Sequence, residues 1–379
     1  MPAVRAQAGL TDGELGTALL FVGAGALPAM LATGRAVDRW GLRVTALLLG
    51  ALGVVGTLVA AFGRDIWSLS AGLALLGASS GAADVAINAA AGSAERNSGR
   101  PVITRAHGVF SAMVVAGSLA TGLLSGLGLP LLVPFLLVAV AAAGAALSVL
   151  ADGRAAAGVT EDGGGGTGTG RAVRLLPLLV VGGLGALAFA TENAHQSWGA
   201  VYLADVADAG PALAAVGPAV FAGVVALTRF AAGSIGSRHA ATVLVAGSVT
   251  AAAGTALVSV ATAVPAVLTG LALAAAGTAV LFPTLAGVVA AHVDDTARGR
   301  ATSVVTTVAY LGFLAGPVYV GRWADATGLP GAMVAVAALA AVLAALAWPA
   351  LRAVHTGPSW HLEAAGDAGR PGQVSGRLS

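Results

Sequence analysis

The residues best suited to chemistry in this chain lie inside its most apolar stretches. Glu192, His195 and Gln196 follow one another at spacings of three and one, with Asn193 and Trp198 beside them. On a helix, that spacing brings Glu192, His195 and Gln196 to a shared face. Asp84 and Asn88 are four apart and share a face with Ser80, and His107 stands one turn before Ser111. An ionisable side chain at the centre of a membrane helix costs about 2.5–3.5 kcal/mol on insertion scales, so each needs a partner or a function. A carboxylate in apolar surroundings is suited to proton coupling. Glu192 or Asp84 is read as that carboxylate, with the amides, His195 and Trp198 contacting a polar solute. Asp84 has an alternative as the ion-pair partner of Arg96 or Arg105. No Arg near Glu192 in sequence can neutralise it, which favours a functional acid there. His107 and Asn193 either line the same cavity or bond a neighbouring helix.

The elements that must position these groups are membrane helices. The chain is 57% hydrophobic and 9% charged, with a mean hydropathy of +0.89. Soluble domains carry about 25% charged residues, so a soluble fold of this size is excluded. With about 20 apolar residues needed per crossing, spans are expected near 14–33, 44–62, 67–92, 106–127, 130–150, 175–203, 211–232, 241–262, 264–290, 301–322 and 330–351. These eleven define an N-terminal bundle over 1–150, a Gly-rich linker over 151–174, a C-terminal bundle over 175–351 and a disordered tail over 352–379. Pro283 and Pro317 fall inside late spans, as hinges or as static kinks.

Composition also removes whole classes of function. There is no Cys, and all 19 basic residues are Arg, so Gly163–Gly168 is a linker and not a phosphate loop, which needs a Lys. No metal-ligand spacing, cofactor motif or nucleophile–base pair is present, so no enzyme chemistry is expected. The pI near 9.6 comes from Arg in short connections, without the basic stripe that nucleic-acid binding requires. Sixteen Arg fall on one set of connections and three, Arg5, Arg64 and Arg322, on the other. The positive-inside rule then places the C-terminus in the cytoplasm.

The halves repeat one another. Gly34–Arg39 returns weakly at Gly233–Arg238, Gly72–Leu75 at Gly270–Leu273, and Gly128–Pro130 at Gly328–Pro330, at offsets of 198 to 200. Such duplication marks two-half transporters. Carried back by the same offset, the partner of span 175–203 falls before Met1. The expectation is therefore eleven helices present of twelve, with a genuine eleven-helix protein as the rival.

Gly34, Asp38, Arg39, Gly41 and Arg43, within Gly34–Arg43, resemble the signature loop of the major facilitator superfamily. That resemblance implies an all-α membrane protein of two helix bundles, with a cytoplasmic latch at this loop and a central cavity lined by the helices carrying Asp84 and Glu192. Gly34 and Gly41 are expected to let the chain turn between antiparallel helices, and Asp38 to pair with Arg or a helix N-terminus. The second copy, with Gly233 and Arg238, has Ser237 in place of the acid. Asp84–Asn88, Gly99–Pro101 with His107 and Phe110, Glu192–Trp198 and Tyr310–Pro317 resemble the bacterial branch related to sugar and fucose permeases. That branch commonly has Asp before the Trp of the seventh helix, where this chain has Ser197.

The resulting expectation is a secondary active transporter in the bacterial plasma (inner) membrane. It moves a small polar solute, with protons, by alternating access between its bundles. It works as a monomer in the lipid bilayer, without cofactor or nucleic acid. A non-transporting membrane sensor and an inactive truncated fragment are the alternatives.

Overall fold

The computed structural model describes residues 1–98, 102–151, 174–232, 239–293, 295–356 and 360. Among them the regular elements are all helices: α1 (Pro2–Ala8), α2 (Asp12–Trp40), α3 (Leu42–Phe62), α4 (Ile66–Ser98), α5 (Val102–Gly126), α6 (Leu132–Ala151), α7 (Leu175–Asp205), α8 (Pro211–Ala214), α9 (Val216–Ala232), α10 (Ala240–Val260), α11 (Val264–Ala279), α12 (Leu281–His292) and α13 (Asp295–Thr356).

Ten helical segments are long and apolar enough to cross a membrane. The last, Arg300–Val354, has 55 residues and would be about 80 Å long if straight, far beyond the ~30 Å hydrocarbon core. Gly328, with φ 76° and ψ 168°, breaks it into two crossings. Eleven crossings result among the described residues, as the hydropathy pattern predicts.

Local chemistry sets the ends. Thr11 and Glu14 form a reciprocal capping box that starts α2. Asp65 starts α4 by accepting from the N–H groups of Trp67 and Ser68, both at 2.9 Å. One expected loop is corrected here. Gly34 lies within α2, which stays helical through Trp40, and the turn is made at Gly41 alone, with φ 61°. Only Gly tolerates that conformation without strain, and one such residue is enough to reverse the chain.

The sequence repeat is also a structural repeat. Gly128 and Gly328 both have positive φ, 75° and 76°. Gly72 of α4 packs on Val59 of α3, and Gly270 of α11 packs on Val258 of α10. In the first half α2 packs on α4, and α3 on α4 and α6; in the second, α7 and α10 pack on α13, and α10 on α11. The large buried clusters lie in the second half. In the first, a cavity of about 410 Å³ lined by Gly53, Leu76, Gly117, Thr121 and Phe135 separates α5 from its neighbours.

The two halves meet through α2 with α13 and through α5 with α8 and α9. Recorded contacts fall at one end of these helices: Gly16 on Pro317, Gly23 on Leu314, Gly122 on Ala212 and Ala215. There the Gly13 N–H donates to Asp325 Oδ1 at 2.9 Å, and Arg5 bridges Asp12 and Asp205. At the opposite end Leu31, Phe110, Leu227 and Phe230 are 67–76% exposed. The bundles are thus joined at the end carrying Asp205 and Asp325.

The tail is ordered further than expected. Residues 352–356 continue α13, and Trp360 is buried, accepting the Arg174 N–H at its carbonyl and stacking on His292. The linker over 152–173 and the rest of the tail lie outside the described residues.

Candidate functional site

Polar side chains on the middle of α7 divide between two faces. Phe189, Glu192, Asn193 and Gln196 follow one another at helical spacing and turn toward α9, α12 and α13. Glu192 is buried and ion-paired: Arg229 Nη2 lies 3.2 Å from both of its carboxylate oxygens, and Gln196 Nε2 donates to Oε1 at 3.1 Å. No Arg near Glu192 in sequence neutralises it, but Arg229, 37 residues further on, does, which corrects the expectation of an unpaired acid. Arg229 closes its apolar run in the sequence but belongs to α9 and is spent within the bundle. Its position inside a span was the available signal.

Two carbonyls complete the network. Pro283 and Pro317 have no N–H to give the carbonyls four residues earlier, those of Ala279 and Phe313. Arg229 Nε donates to Ala279 O at 3.2 Å, and Asn193 Nδ2 donates to Phe313 O at 2.5 Å. Ser197 Oγ in turn donates to Asn193 Oδ1 at 3.1 Å.

The opposite face of α7 enters the bundle core, which corrects two assignments. His195 is 1% exposed, donates from Nδ1 to the Thr191 carbonyl at 2.7 Å, bonds the Thr255 hydroxyl at 2.9 Å and stacks on Phe221. Trp198 is fully buried among Val201, Val258 and Leu271. Neither faces the space between the bundles. The shared face read from spacing fails for His195 because the α-helix turns about 100° per residue, so a step of three to Glu192 puts it at the margin of that face.

Across from α7, Asp84 of α4 is exposed, and Asn88 Nδ2 donates to its carboxylate at 3.1 Å and to its backbone carbonyl at 2.9 Å. Among the described residues Asp84 has no ion pair, so the suggested pairing with Arg105 is not formed; the side chain of Arg96, the other suggested partner, lies outside the described residues. Tyr310 belongs to an aromatic cluster that sequence reading did not assemble. Phe189 stacks on Phe282 with centroids 4.4 Å apart and meets Tyr310 and Phe313 edge-on at 5.5 and 6.3 Å. Phe189 is one turn before Glu192, and Phe282 three residues after Ala279. The rings therefore adjoin the polar network.

At the signature loop, Gly41 N–H closes on the Val37 carbonyl at 2.7 Å, and the Arg39 guanidinium lies 5.4 Å above the Trp40 ring. Arg43 opens α3. The side chains of Asp38 and His107, and all of Gly233 and Arg238, lie outside the described residues. No group of metal-ligating side chains occurs among the described residues.

Comparison with known proteins agrees with this architecture. The Major Facilitator Superfamily family model matches residues 208–373. An uncharacterized MFS-type transporter of Yersinia pestis is 29% identical over 352 residues, covering 92% of this chain and 89% of the relative. The membrane protein MosC of Rhizobium meliloti is 27% identical over 354 residues, covering 91% and 83%. The fold is similar to a bacterial homolog of the human lysosomal transporter Spinster, with TM-score 0.71, 17% identity and 92% of each chain covered. It is likewise similar to the nucleoside transporter NupG, with TM-score 0.70, 13% identity and 92% and 93% covered. None of these is named as a sugar or fucose permease. In its eleven crossings, its duplicated helix order and these relatives, the chain is similar in sequence and fold to transporters of the major facilitator superfamily.

Proposed function

We propose that the protein moves a small polar solute across the bacterial plasma membrane by alternating access, coupled to protons. It acts as a monomer with its C-terminus in the cytoplasm. The observation that carries this reading is the Glu192–Arg229 pair, set midway along α7 beside the interface between the bundles. Both partners belong to the C-terminal bundle, Glu192 on α7 and Arg229 on α9, so protonation and not the rocking itself is what separates them. Protonation of Glu192 removes the charge that retains Arg229 and frees the guanidinium to engage solute or water. Asp84 and Asn88 supply polar groups from the other bundle, and Gln196 supplies an exposed amide from α7. Asp38, Arg39 and Arg43 act as the cytoplasmic latch that forms and breaks in each cycle. The distribution of Arg supports the orientation, and the contacts at the Asp205–Asp325 end support a state closed to the outside.

The test is flux in proteoliposomes under an imposed proton gradient. Glu192→Gln is expected to uncouple solute movement from the gradient, and the double variant Glu192→Gln with Arg229→Gln to fold without leaving an unpaired buried charge. Proton-linked flux that persists unchanged in Glu192→Gln would remove Glu192 from the mechanism.

A further inference from the structure

We infer that α1 is a clasp between the bundles: it rides on the N-terminal bundle and holds the C-terminal bundle at the Asp205–Asp325 end through Arg5 and Asp205, a pair that breaks whenever that end opens; this rests on the transporter reading above. The anchorage of α1 is one-sided. Gln7 Nε2 donates to the carbonyls of Ala60 and Gly63, at the end of α3, at 2.9 and 3.1 Å. Ala8 is buried with Val59 of α3 and Leu69 and Leu73 of α4. Arg5 pairs with Asp12 of α2. Residues Gly9 to Thr11 alone separate α1 from α2, and the Leu10 N–H closes back on the Arg5 carbonyl at 3.2 Å, so α1 moves with α2 and α3. Toward the C-terminal bundle, Arg5 Nη2 donates to Asp205 Oδ2, on the last residue of α7, at 2.5 Å. Among the described residues this is the one ion pair that joins the two bundles.

The chemistry suits a contact that is made and broken. When the bundles part, Arg5 retains Asp12, so its charge is not left alone against apolar surface. The Asp205 side chain is already 34% exposed and takes up water when Arg5 leaves. Partly exposed ion pairs are individually weak and are screened by salt. The clasp therefore biases the two states severalfold and locks neither.

What the clasp closes is a cavity. α1 forms one wall of a space of about 740 Å³ between the bundles, with Ala200 and Ala204 of α7 and the hydroxyl-bearing Ser118, Thr121 and Ser125 of α5 around it. Glu192, Gln196, Ala200 and Ala204 follow one another at steps of four, as one ridge of α7. The cavity thus continues the ridge that carries Glu192, with Ala204 about 12 Å along the helix from Gln196. The Arg5–Asp205 pair sits one residue beyond Ala204, at the end of that path.

The experiment uses the full chain in detergent with Leu15→Cys as its sole thiol. Leu15 is fully buried and is the one buried residue of the first half within a cluster drawn from the second half, so maleimide reaches it when the bundles part at this end. Arg5→Ala and Asp205→Ala are each expected to raise the modification rate severalfold, and the double variant to rise no further than either. The charge-exchanged variant, Arg5→Asp with Asp205→Arg, rebuilds the pair and is expected to return toward the parent rate, which a merely structural role of either side chain would not produce. Added salt is expected to speed labelling of the parent and to leave Asp205→Ala nearly unchanged. Equal rates in the parent and Asp205→Ala, or strictly additive effects of the two alanine substitutions, overturn the inference. Labelling of this thiol reads opening without any solute. The clasp can therefore fail while proton-linked flux still supports the transporter reading, and can hold while that flux is absent.

Discussion

Asn193 donates its side-chain amide to the carbonyl of Phe313, the carbonyl that Pro317 leaves without a backbone donor. Arg229 does the same for Ala279, four residues before Pro283. Each of these prolines leaves a carbonyl that a polar side chain from another helix satisfies. An unsatisfied carbonyl in hydrocarbon is costly, so these two side chains stabilise the helices that carry the prolines. Both carbonyls are in this way tied to the same cluster that contains Glu192.

Asn193→Ala is expected to destabilise the fold by about 1–2 kcal/mol, the cost of leaving a buried acceptor without a partner. Pro317→Ala restores a backbone N–H to Phe313, so the cost of Asn193→Ala should shrink in that background. A double-mutant cycle read by unfolding in detergent measures the coupling. Strict additivity of the two substitutions would show that Asn193 does not serve the carbonyl that Pro317 leaves free.

Much of the architecture was legible because lipid leaves few options. Apolar runs bounded by Arg, Gly and Pro gave the crossings to within a few residues except at Trp40, where helical hydrogen bonding carried α2 through a motif expected to be loop. The repeat offset anticipated the matched turns at Gly128 and Gly328. The site was less legible. Glu192, Asn193 and Gln196 were found from their polarity, but their partners Arg229, Ala279 and Phe313 lie on other helices. Sequence spacing carries no information about which helices touch. His195 and Trp198 show the same limit in reverse, since a polar or aromatic residue within a span can be satisfied inside its own bundle.

His195→Ala tests that reassignment. With its bonds to Thr191 and Thr255 and its stacking on Phe221 removed, stability should fall by about 2–3 kcal/mol. Solute affinity per folded molecule should remain that of the parent. A large rise in Kd or KM with unchanged stability would return His195 to the binding site.

Asp65 supplies a pH dependence at the start of α4, outside the membrane span. The Ser68 and Trp67 N–H groups and the Ser68 hydroxyl hold its carboxyl below the usual carboxylate range. Its contribution to stability is therefore full above the ordinary Asp pKa and fades as pH falls through the lowered folded value. Asp65→Asn should flatten the acid side of the Tm–pH curve while leaving Tm near neutrality little changed, since Asn also caps well. A parallel acid limb in parent and variant would show that Asp65 does not supply it.

Asp325 caps α2 from the opposite bundle, so its contact with Gly13 is both a helix cap and a bundle contact. The pairing suits the partial positive charge at a helix N-terminus, and it exists only while this end is closed. Removing a cap costs about 1 kcal/mol, which corresponds to roughly a fivefold shift between two states. Leu15, fully buried against Val320 and Ala324 beside this contact, is a reporter position, and the chain contains no other Cys to confuse labelling. In a Leu15→Cys background, Asp325→Ala should raise the rate of maleimide modification severalfold. Asp325→Asn, which keeps an acceptor but loses the charge, should fall between. Equal labelling rates in all three would mean that closure at this end rests on the apolar contacts of Gly16, Gly23 and Leu314, with Asp325 serving α2 alone.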